Sequence, residues 1–212
     1  MAMIVVEVKG VRLELETEPG LFSPRQADRG TLAMLSCVDF EPGMRVLDLG
    51  CGCGLVGILA ARLCGEENVV LTDNDPLAVE VARRNAARNG VGGVRAVVSD
   101  GFSGLSEAGF DLILSNPPYQ SDFSVAKAFI EKGFNRLKLG GRMVMVTKRL
   151  DWYRNKLTAI FGGVKVREID GYFVFEAQRR DMRYANRRKV GHKYSSQAKP
   201  AIQKAPFPLW RR

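Results

Sequence analysis

Residues 45–54 read RVLDLGCGCG, and this stretch decides the fold. Its first half is a short apolar run of strand type, and its second half is a loop with glycine at alternate positions. Residues 55–63 follow as an apolar segment with the length of a helix. A strand that turns through glycines into a helix begins a βαβ unit, and such a loop lets the backbone lie close to a ligand at the positive helix N-terminus.

The same alternation of strand and helix continues toward the C-terminus. Asp75-Pro76 predicts a helix start, with the aspartate as N-cap, and Asn89-Gly90 predicts its end. Further strands are predicted at 69–72, 94–98, 110–114 and 142–147, and further helices at 125–137 and 152–161. Two last strands, at 164–169 and 172–177, flank the hairpin turn Asp170-Gly171. Apolar strands that alternate with helices predict a doubly wound α/β domain, with a mostly parallel sheet and a C-terminal antiparallel hairpin.

The N-terminal part of the chain has a different pattern. Apolar and charged residues alternate at 11–16, and an apolar-rich segment at 4–8 precedes them across Lys9-Gly10, which predicts a β-hairpin extension. A helix is predicted next, and it carries Leu32, Ala33, Leu35 and Cys37. We therefore expect three parts: an N-terminal hairpin and helix packed on the core (1–43), a cofactor-binding core (44–178) and a basic, partly disordered tail (179–212).

Composition excludes several classes of protein. Hydrophobic residues make up 46% of the 212 residues and charged residues 26%, which is ordinary for a globular protein. No apolar run is long enough to span a bilayer, and residues 1–9 lack the features of a signal peptide, so we expect a cytoplasmic protein with no membrane partner. Cys37, Cys51, Cys53 and Cys64 lack the paired spacing of a zinc site, so we expect reduced thiols and no metal.

The glycine loop alone leaves two kinds of cofactor open. Gly52, Gly54 and Gly57 fit the dinucleotide fingerprint, and Asp73 lies at the distance along the chain expected of a residue that binds ribose hydroxyls. Asp48 favours a different cofactor, because its carboxylate lies in the loop, where it would repel a pyrophosphate and attract a cationic amino acid group. A sulfonium compound with a methionine portion carries such a cationic amino acid group.

The predicted strand at 110–114 leads into Asn116-Pro117-Pro118-Tyr119. An exocyclic amine conjugated to a ring or a carbonyl is a poor nucleophile, because its lone pair is delocalised. The Asn116 side-chain oxygen and the Pro117 carbonyl can each accept one N–H of such an amine and hold its lone pair in line with a methyl donor. Tyr119 would supply an aromatic face for a flipped-out base. The motif therefore predicts N-methyl transfer, with Asn116, Pro117 and Tyr119 as the catalytic residues.

With these motifs the sequence resembles the class I methyltransferases, and more narrowly the methyltransferase small domain family, which includes ribosomal RNA guanine-N2 methyltransferases. The resemblance covers residues 22–179 and implies a Rossmann-like fold and the cofactor S-adenosyl-L-methionine (AdoMet). The similar segments are Phe22-Ser23-Pro24 with Asp28, Gly30 and Thr31, residues 46–54, the ribose-binding turn 73–76, the adenine-binding turn 99–101 and the catalytic motif 116–119. The implied cofactor-binding residues are Thr31, Asp48, Gly50, Cys51, Gly52, Gly54, Asp73, Asn74, Asp100, Gly101 and Asn116.

Two departures from the family pattern leave the acceptor open. Many guanine-N2 members carry Phe where Tyr119 stands, and the larger members have a second, N-terminal methyltransferase-like domain. Tyr at this position is common in adenine and glutamine methyltransferases. The resemblance therefore favours guanine-N2 methylation of ribosomal RNA, with adenine-N6 methylation of RNA and methylation of a release-factor glutamine as alternatives. A non-enzymatic RNA-binding module that kept a cofactor fold is disfavoured by the intact motif.

The excess positive charge is concentrated in the tail. Residues 179–212 contain eleven Lys or Arg and one acid, whereas residues 1–178 contain 21 bases and 22 acids. Aromatic residues such as Tyr184 and Trp210 are interleaved with the cations. Such a segment can neutralise phosphates and stack on bases, so we expect RNA as the partner, with ribosomal RNA favoured and transfer RNA as the other candidate. The predicted RNA-binding residues are Arg179, Arg180, Arg183, Arg187, Arg188 and Lys189.

Overall fold

The computed structural model describes residues 2–19, 27–118 and 123–185, and the backbone of residues 203 and 204. The helices of these ranges are α1 (Arg29–Ser36), α2 (Leu55–Cys64), α3 (Pro76–Arg88), α4 (Ser124–Arg136) and α5 (Leu150–Phe161). The strands are β1 (Ala2–Val8), β2 (Val11–Thr17), β3 (Val46–Leu49), β4 (Val69–Asp73), β5 (Arg95–Val98), β6 (Phe110–Ser115), β7 (Leu137–Thr147), β8 (Lys165–Ile169), β9 (Tyr172–Gln178) and β10 (Gln203–Lys204). Of the helices in the described ranges, none is long and apolar enough to cross a membrane.

Eight strands form one sheet with the order β10-β8-β9-β7-β6-β3-β4-β5. β3 pairs in parallel with β4 on one side and with β6 on the other, and β7 joins β6 in parallel. β9 runs antiparallel between β7 and β8, and β1 and β2 form a separate antiparallel hairpin. The predicted Rossmann-like class, with an antiparallel hairpin at each end of the chain's folded core, is confirmed. Because the strand order reverses between β3 and β6, a crevice is expected at the carboxyl ends of these two strands.

Helices cover both faces of the sheet. Successive residues of β6 face opposite sides, so that Leu112 and Leu114 pack with α1, α2 and α3, whereas Ile113 packs with α4 and α5. All three side chains are buried, as are the four residues of β3. Near-continuous burial of this kind is the pattern of parallel strands that are covered on both faces.

β7 begins earlier than the sequence predicts. The structure ends α4 at Arg136 and starts the strand at Leu137, whereas the prediction placed the strand start at 142. The pairing of β6 with β7 shifts in register between Phe110 and Leu112, and Gly140 has a φ of +83°. The first residues of β7 include two glycines and several exposed positions, so they lack the apolar pattern of a buried strand.

Two asparagines, Asn85 of α3 and Asn89 at its C-cap, hold the N-terminal hairpin on the core. The backbone N–H of Glu16 donates to Asn85 Oδ1 at 2.7 Å, and Asn85 Nδ2 donates to the Glu16 carbonyl at 2.9 Å. Asn89 makes the same pair of bonds with Glu14, at 3.0 and 2.8 Å. Both asparagines are buried and lie one helical turn apart. Their amides therefore pair with alternate residues of β2, as the backbone of a neighbouring strand would.

The first residues of the predicted tail pack on the core. Arg179 is 8% exposed, and its guanidinium donates to backbone carbonyls at the start of β7 and lies 4.9 Å from the centre of the Phe134 ring. Tyr184 packs edge-on against the same ring. β10 pairs in parallel with β8 at the edge of the sheet. The rest of the tail lies outside the described residues, so its partial disorder stays a prediction.

Asn85→Ala should destabilise the fold, because two backbone groups of Glu16 and the Cys53 carbonyl would lose buried partners. We expect the free energy of unfolding to fall by about 2–4 kcal/mol. Urea denaturation followed by circular dichroism measures this change. Asn155→Ala, on the exposed surface of α5, is the control and should stay within about 0.5 kcal/mol of the parent protein. An equally small effect of Asn85→Ala would mean that apolar contacts alone hold the hairpin.

Candidate active site

The glycine loop after β3 is a tight backbone turn that bonds to the next strand. The amides of Gly50 and Cys51 both donate to the Thr72 carbonyl at the end of β4, at 2.8 and 2.9 Å. Gly50, Gly52 and Gly54 have φ values of +80°, +53° and +92°, a region that L side chains rarely adopt. The backbone conformation therefore requires glycine at these alternate positions.

Two aspartates support this loop. Asp73 accepts the Gly52 N–H on Oδ2 at 2.9 Å and the Asp75 N–H on Oδ1 at 3.0 Å. Asp48 is 2% exposed and accepts the N–H of Gly57 at 2.8 Å. Burial raises the pKa of Asp48 to about 7, the Gly57 N–H lowers it, and the nearby charge of Asp73 raises it. Asp48 is therefore partly ionised near neutral pH, and a bound cation would favour its charged form.

A cavity of about 310 Å³ opens at the carboxyl edge of the sheet, where the loops after β3, β4, β5 and β6 meet. The predicted site residues in its walls are Thr31, Asp48, Gly50, Cys51, Gly52, Asp73, Asn74, Asp100, Gly101, Asn116 and Pro117. Gly54 lies behind the wall, where it precedes the first residue of α2 and approaches Ala82. Tyr119 lies outside the described residues. The topology thus brings residues from four separate loops to one cavity.

The walls of this cavity are acidic. Their described residues include aspartates at positions 28, 48, 73, 75 and 100, and no Lys, Arg or His. The amides of Gly50, Cys51 and Gly52 donate to Thr72 and Asp73, so the loop does not present them to a phosphate. A pyrophosphate here would meet carboxylates with no cation to offset them. The cavity therefore suits a cationic ligand, and the dinucleotide interpretation is disfavoured.

Apolar side chains of α4 complete one wall of the cavity, and the sequence analysis missed them. Val125 and Phe129 line this wall. A Cβ on Gly101 would lie 3.3 Å from the Phe129 ring, so the ring packs directly against the turn that carries Asp100. A flat aromatic face beside a carboxylate suits a planar base with an amine. Phe129 occupies an ordinary apolar position of an amphipathic helix, so no local signal distinguishes it from a core residue.

The N-terminus of α1 holds Asn116. Asn116 Nδ2 donates to Asp28 Oδ1 at 2.7 Å and to Thr31 Oγ1 at 2.9 Å. The same Asp28 oxygen accepts the backbone N–H of Thr31 at 2.7 Å and so caps the helix. These bonds fix the orientation of the Asn116 side-chain amide. Its Nδ2 points toward α1, and its Oδ1 is on the other side of the amide group. Asp28 is thus a positioning residue for Asn116, a role that the sequence analysis did not assign to it.

The described members of the predicted RNA-binding set differ in exposure. Arg180 and Arg183 are exposed, and residues 187–189 lie outside the described part of the chain. Arg179 differs from them, because its buried guanidinium donates to backbone carbonyls of α4 and β7. The described contacts do not support the prediction that Arg179 binds RNA, because its buried guanidinium already donates to backbone carbonyls, so we leave Arg179 out of the RNA contacts proposed below.

Comparison with known proteins identifies the family. The model of the methyltransferase small domain matches residues 12–176. The chain belongs to the methyltransferase small domain family. Ribosomal RNA small subunit methyltransferase C of Pseudomonas putida is 33% identical over 172 residues, which are 79% of this chain and 51% of that protein. The protein of the same name from Hahella chejuensis is 35% identical over 158 residues, 73% of this chain and 46% of that protein. The chain thus spans about half the length of these relatives.

Solved structures of similar proteins share this fold. T. thermophilus 16S rRNA N2 G1207 methyltransferase, determined in complex with AdoMet and guanosine, matches with a TM-score of 0.76 and 28% identity, over 84% of this chain and 50% of that one. TrmN from Thermus thermophilus matches with a TM-score of 0.60 and 27% identity, over 69% of this chain and 47% of that one. The likeness to these two structures therefore extends over at least two thirds of the chain.

Asp48→Asn should change how the stability of the ligand-free protein depends on pH. The Asp48 carboxyl has a pKa of about 7 in the folded protein against an ordinary value of 3.8, so the folded state binds its proton more tightly than the unfolded chain. Its contribution to stability is therefore present at low pH and is lost as the pH rises through 7. Asparagine does not titrate, so the variant should gain roughly 2–4 kcal/mol relative to the parent protein between pH 4 and 8. Urea denaturation at several pH values measures the difference, and a pH-independent difference would contradict the raised pKa.

Proposed function

We propose that this chain is an AdoMet-dependent N-methyltransferase that modifies the exocyclic amine of a guanine in RNA, with ribosomal RNA as the favoured substrate. The observation that carries the proposal is the position of Asn116, on the same cavity as the glycine loop and with its amide direction fixed by Asp28 and Thr31. Family membership supports methyl transfer, and the names of the similar proteins support ribosomal RNA and guanine.

The acidic cavity fits AdoMet. When bound, AdoMet supplies an electrophilic methyl group on a positively charged sulfur. We assign Asp48 and the glycine loop to its methionine portion, Asp73 to the ribose hydroxyls, and Asp100 with the Phe129 ring to the adenine. Carboxylates on several sides attract a ligand that carries both an ammonium and a sulfonium charge. The same carboxylates select against a pyrophosphate cofactor.

Asn116 and Pro117 would orient the acceptor amine. Asn116 Oδ1 accepts one N–H and the Pro117 carbonyl accepts the other, so the nitrogen turns its lone pair toward the cofactor cavity. Pro117 and Pro118 have no N–H of their own, so neither adds a donor that competes for the lone pair. Methyl transfer would form the N–C bond with the nitrogen lone pair and break the S–C bond, whose electron pair stays on a now neutral sulfur. The nitrogen would then carry the positive charge and lose a proton to water. The arrangement therefore does not require a strong general base.

The identity of the acceptor group is the most specific part of the proposal. Adenine-N6 and a glutamine side-chain amide would use the same two hydrogen-bond acceptors as guanine-N2. Guanine is favoured because a relative with 28% identity is named for N2 methylation of a guanine and was determined with guanosine. Incubation with labelled AdoMet and separate pools of ribosomal RNA, transfer RNA and release factor, followed by identification of the modified nucleoside or residue, distinguishes the three acceptors.

Asn116→Ala should lower the rate of methyl transfer about a hundredfold or more, because the acceptor amine loses one of the two groups that orient it. Cofactor affinity, measured by calorimetry with AdoMet, should change less than threefold, since the methionine and adenine contacts remain. Asn155→Ala on α5 is the matched control and should leave both quantities unchanged. Transfer by Asn116→Ala at the parent rate would refute the catalytic assignment, and loss of AdoMet binding would indicate a damaged cavity instead.

We propose further that the basic tail contacts RNA through Arg187, Arg188 and Lys189, together with the exposed Arg180 and Arg183. Each cation that neutralises a phosphate displaces a counterion from the nucleic acid. The tail therefore contributes affinity that depends strongly on salt and little on base sequence.

Replacing residues 187–189 together by glutamine should weaken RNA binding and reduce the slope of log affinity against log salt by about 2, at roughly 0.7 for each phosphate contact of a single strand. Fluorescence anisotropy with a labelled ribosomal RNA fragment at several salt concentrations measures both quantities. Changing Arg187 and Arg188 to lysine keeps the charge and should preserve the slope. An unchanged slope in the glutamine variant would reject a role for these cations.

A further inference from the structure

We propose that the sheet edge beside the catalytic motif is a docking surface for single-stranded RNA, formed by Phe123, Lys148, Arg149, Trp152 and Tyr172. We name these five side chains the edge platform. The inference rests on the proposed function, because it puts the substrate strand next to the cavity in which its base would react. The tail predicted from charge is a separate contact, whereas the platform lies beside the catalytic motif.

Strand register brings the edge platform beside Asn116. Ser115 of β6 pairs with Met145, and β7 ends shortly after this pair. Residues 148 and 149 therefore leave the sheet at the edge where Asn116 leaves β6. β9 runs antiparallel to β7, so its first residue, Tyr172, lies at the same edge.

Direct contacts connect the platform to the helix that holds the catalytic amide. A Cβ on Gly30 would lie 2.8 Å from the Tyr172 ring, so this ring packs on the N-terminus of α1. Lys148 Nζ lies 4.9 Å from the centre of the same ring. Asp28, at the N-cap of this helix, binds Asn116. A continuous set of contacts thus leads from the Lys148 ammonium to Asn116.

A second cation lies on stacked aromatic rings at the N-terminus of α4. The rings of Phe123 and Trp152 stack with centroids 4.3 Å apart and an interplanar angle of 12°. The Arg149 guanidinium carbon lies 4.9 Å from the centre of the Phe123 ring. Arg149 is exposed, whereas the two rings are half-buried, so the planar cation is the accessible member of the group. An unpaired base can add to such a stack, and a base within a duplex cannot.

The two platform cations are available to phosphates. Asp151, the acidic residue nearest to them in the chain, pairs with Arg154 at 2.6 Å, and Asp170, two residues before Tyr172, pairs with Arg29. Within the described ranges, Lys148 and Arg149 form no ion pair with an acidic side chain. The edge therefore carries two positive charges that no described acidic side chain pairs with, next to a cavity whose walls are acidic. This separation of charge suits a ligand whose backbone is anionic and whose reacting base lies in the cavity.

The test is the variant Lys148→Gln/Arg149→Gln in the full chain, with a fluorescein-labelled 12-nucleotide single-stranded RNA and a duplex of the same length as probes. Two lost phosphate contacts should reduce the salt slope for the single strand by about 1.4 and weaken its binding about tenfold at 0.1 M salt. Lys165→Gln removes an exposed charge from the opposite edge, where β8 begins, and is the matched control. Thermal unfolding and AdoMet calorimetry should be the same in all three proteins.

Two more variants separate stacking from charge. Arg149→Lys keeps the charge but loses the planar face, so it should keep the salt slope and still weaken single-strand binding about threefold. In a Trp210→Phe background Trp152 is the one remaining tryptophan of the chain, and its fluorescence should be quenched when the single strand binds. Binding losses equal to those of Lys165→Gln, or equal losses on duplex and single strand, would overturn the proposal. These readouts do not depend on methyl transfer. If the protein binds RNA through the platform but transfers no methyl group, the proposed function is refuted and the docking proposal is not.

Discussion

The parallel pairing of β3 with both β4 and β6 is the constraint on which the site depends. Parallel strands end at the same edge of a sheet, so Asp48, Asp73 and Asn116 reach one cavity from three separate parts of the chain. Ser115 strengthens this junction, because its buried hydroxyl donates to the Leu49 carbonyl at 2.8 Å, across the point where the strand order reverses. A slip of one residue here would turn the side chains of a strand to the other face and dismantle the site.

Charge, rather than glycine, distinguishes this loop from a dinucleotide site. Both kinds of loop need glycine for a sharp turn and a close approach of the backbone. In this chain, however, the amides of Gly50 and Cys51 bond to Thr72, and a buried carboxylate lies beneath them. The raised pKa of Asp48 shows that burial opposes its charge. A ligand with a positive charge near Asp48 would offset the free-energy cost of burying the charged carboxylate, whereas an anionic ligand would increase this cost.

Local patterns predicted most of the fold, and contacts between distant residues account for what was missed. Apolar periodicity and turn residues place the strands and helices, because these signals act over a few neighbouring residues. The early start of β7 was missed since its first residues span a register shift that only the pairing with β6 imposes. Arg179 looked like a surface cation because burial on Phe134 cannot be inferred from a run of charges. The bond from Asn116 to Asp28 joins residues 88 positions apart, so neither segment alone indicates it.

The N-terminal hairpin is linked to the cofactor loop through Asn85 of α3, and α1 is linked to the acceptor motif directly, so the two halves of the site share one support. Asn85, which holds β2, also donates to the Cys53 carbonyl of the glycine loop at 2.9 Å. Asp28, at the start of α1, holds Asn116 on the acceptor side. A displacement of the N-terminal hairpin and helix would therefore move both halves of the cavity. For in-line transfer between two bound groups an error of about 1 Å costs roughly a hundredfold in rate, so these contacts contribute to alignment as well as to stability.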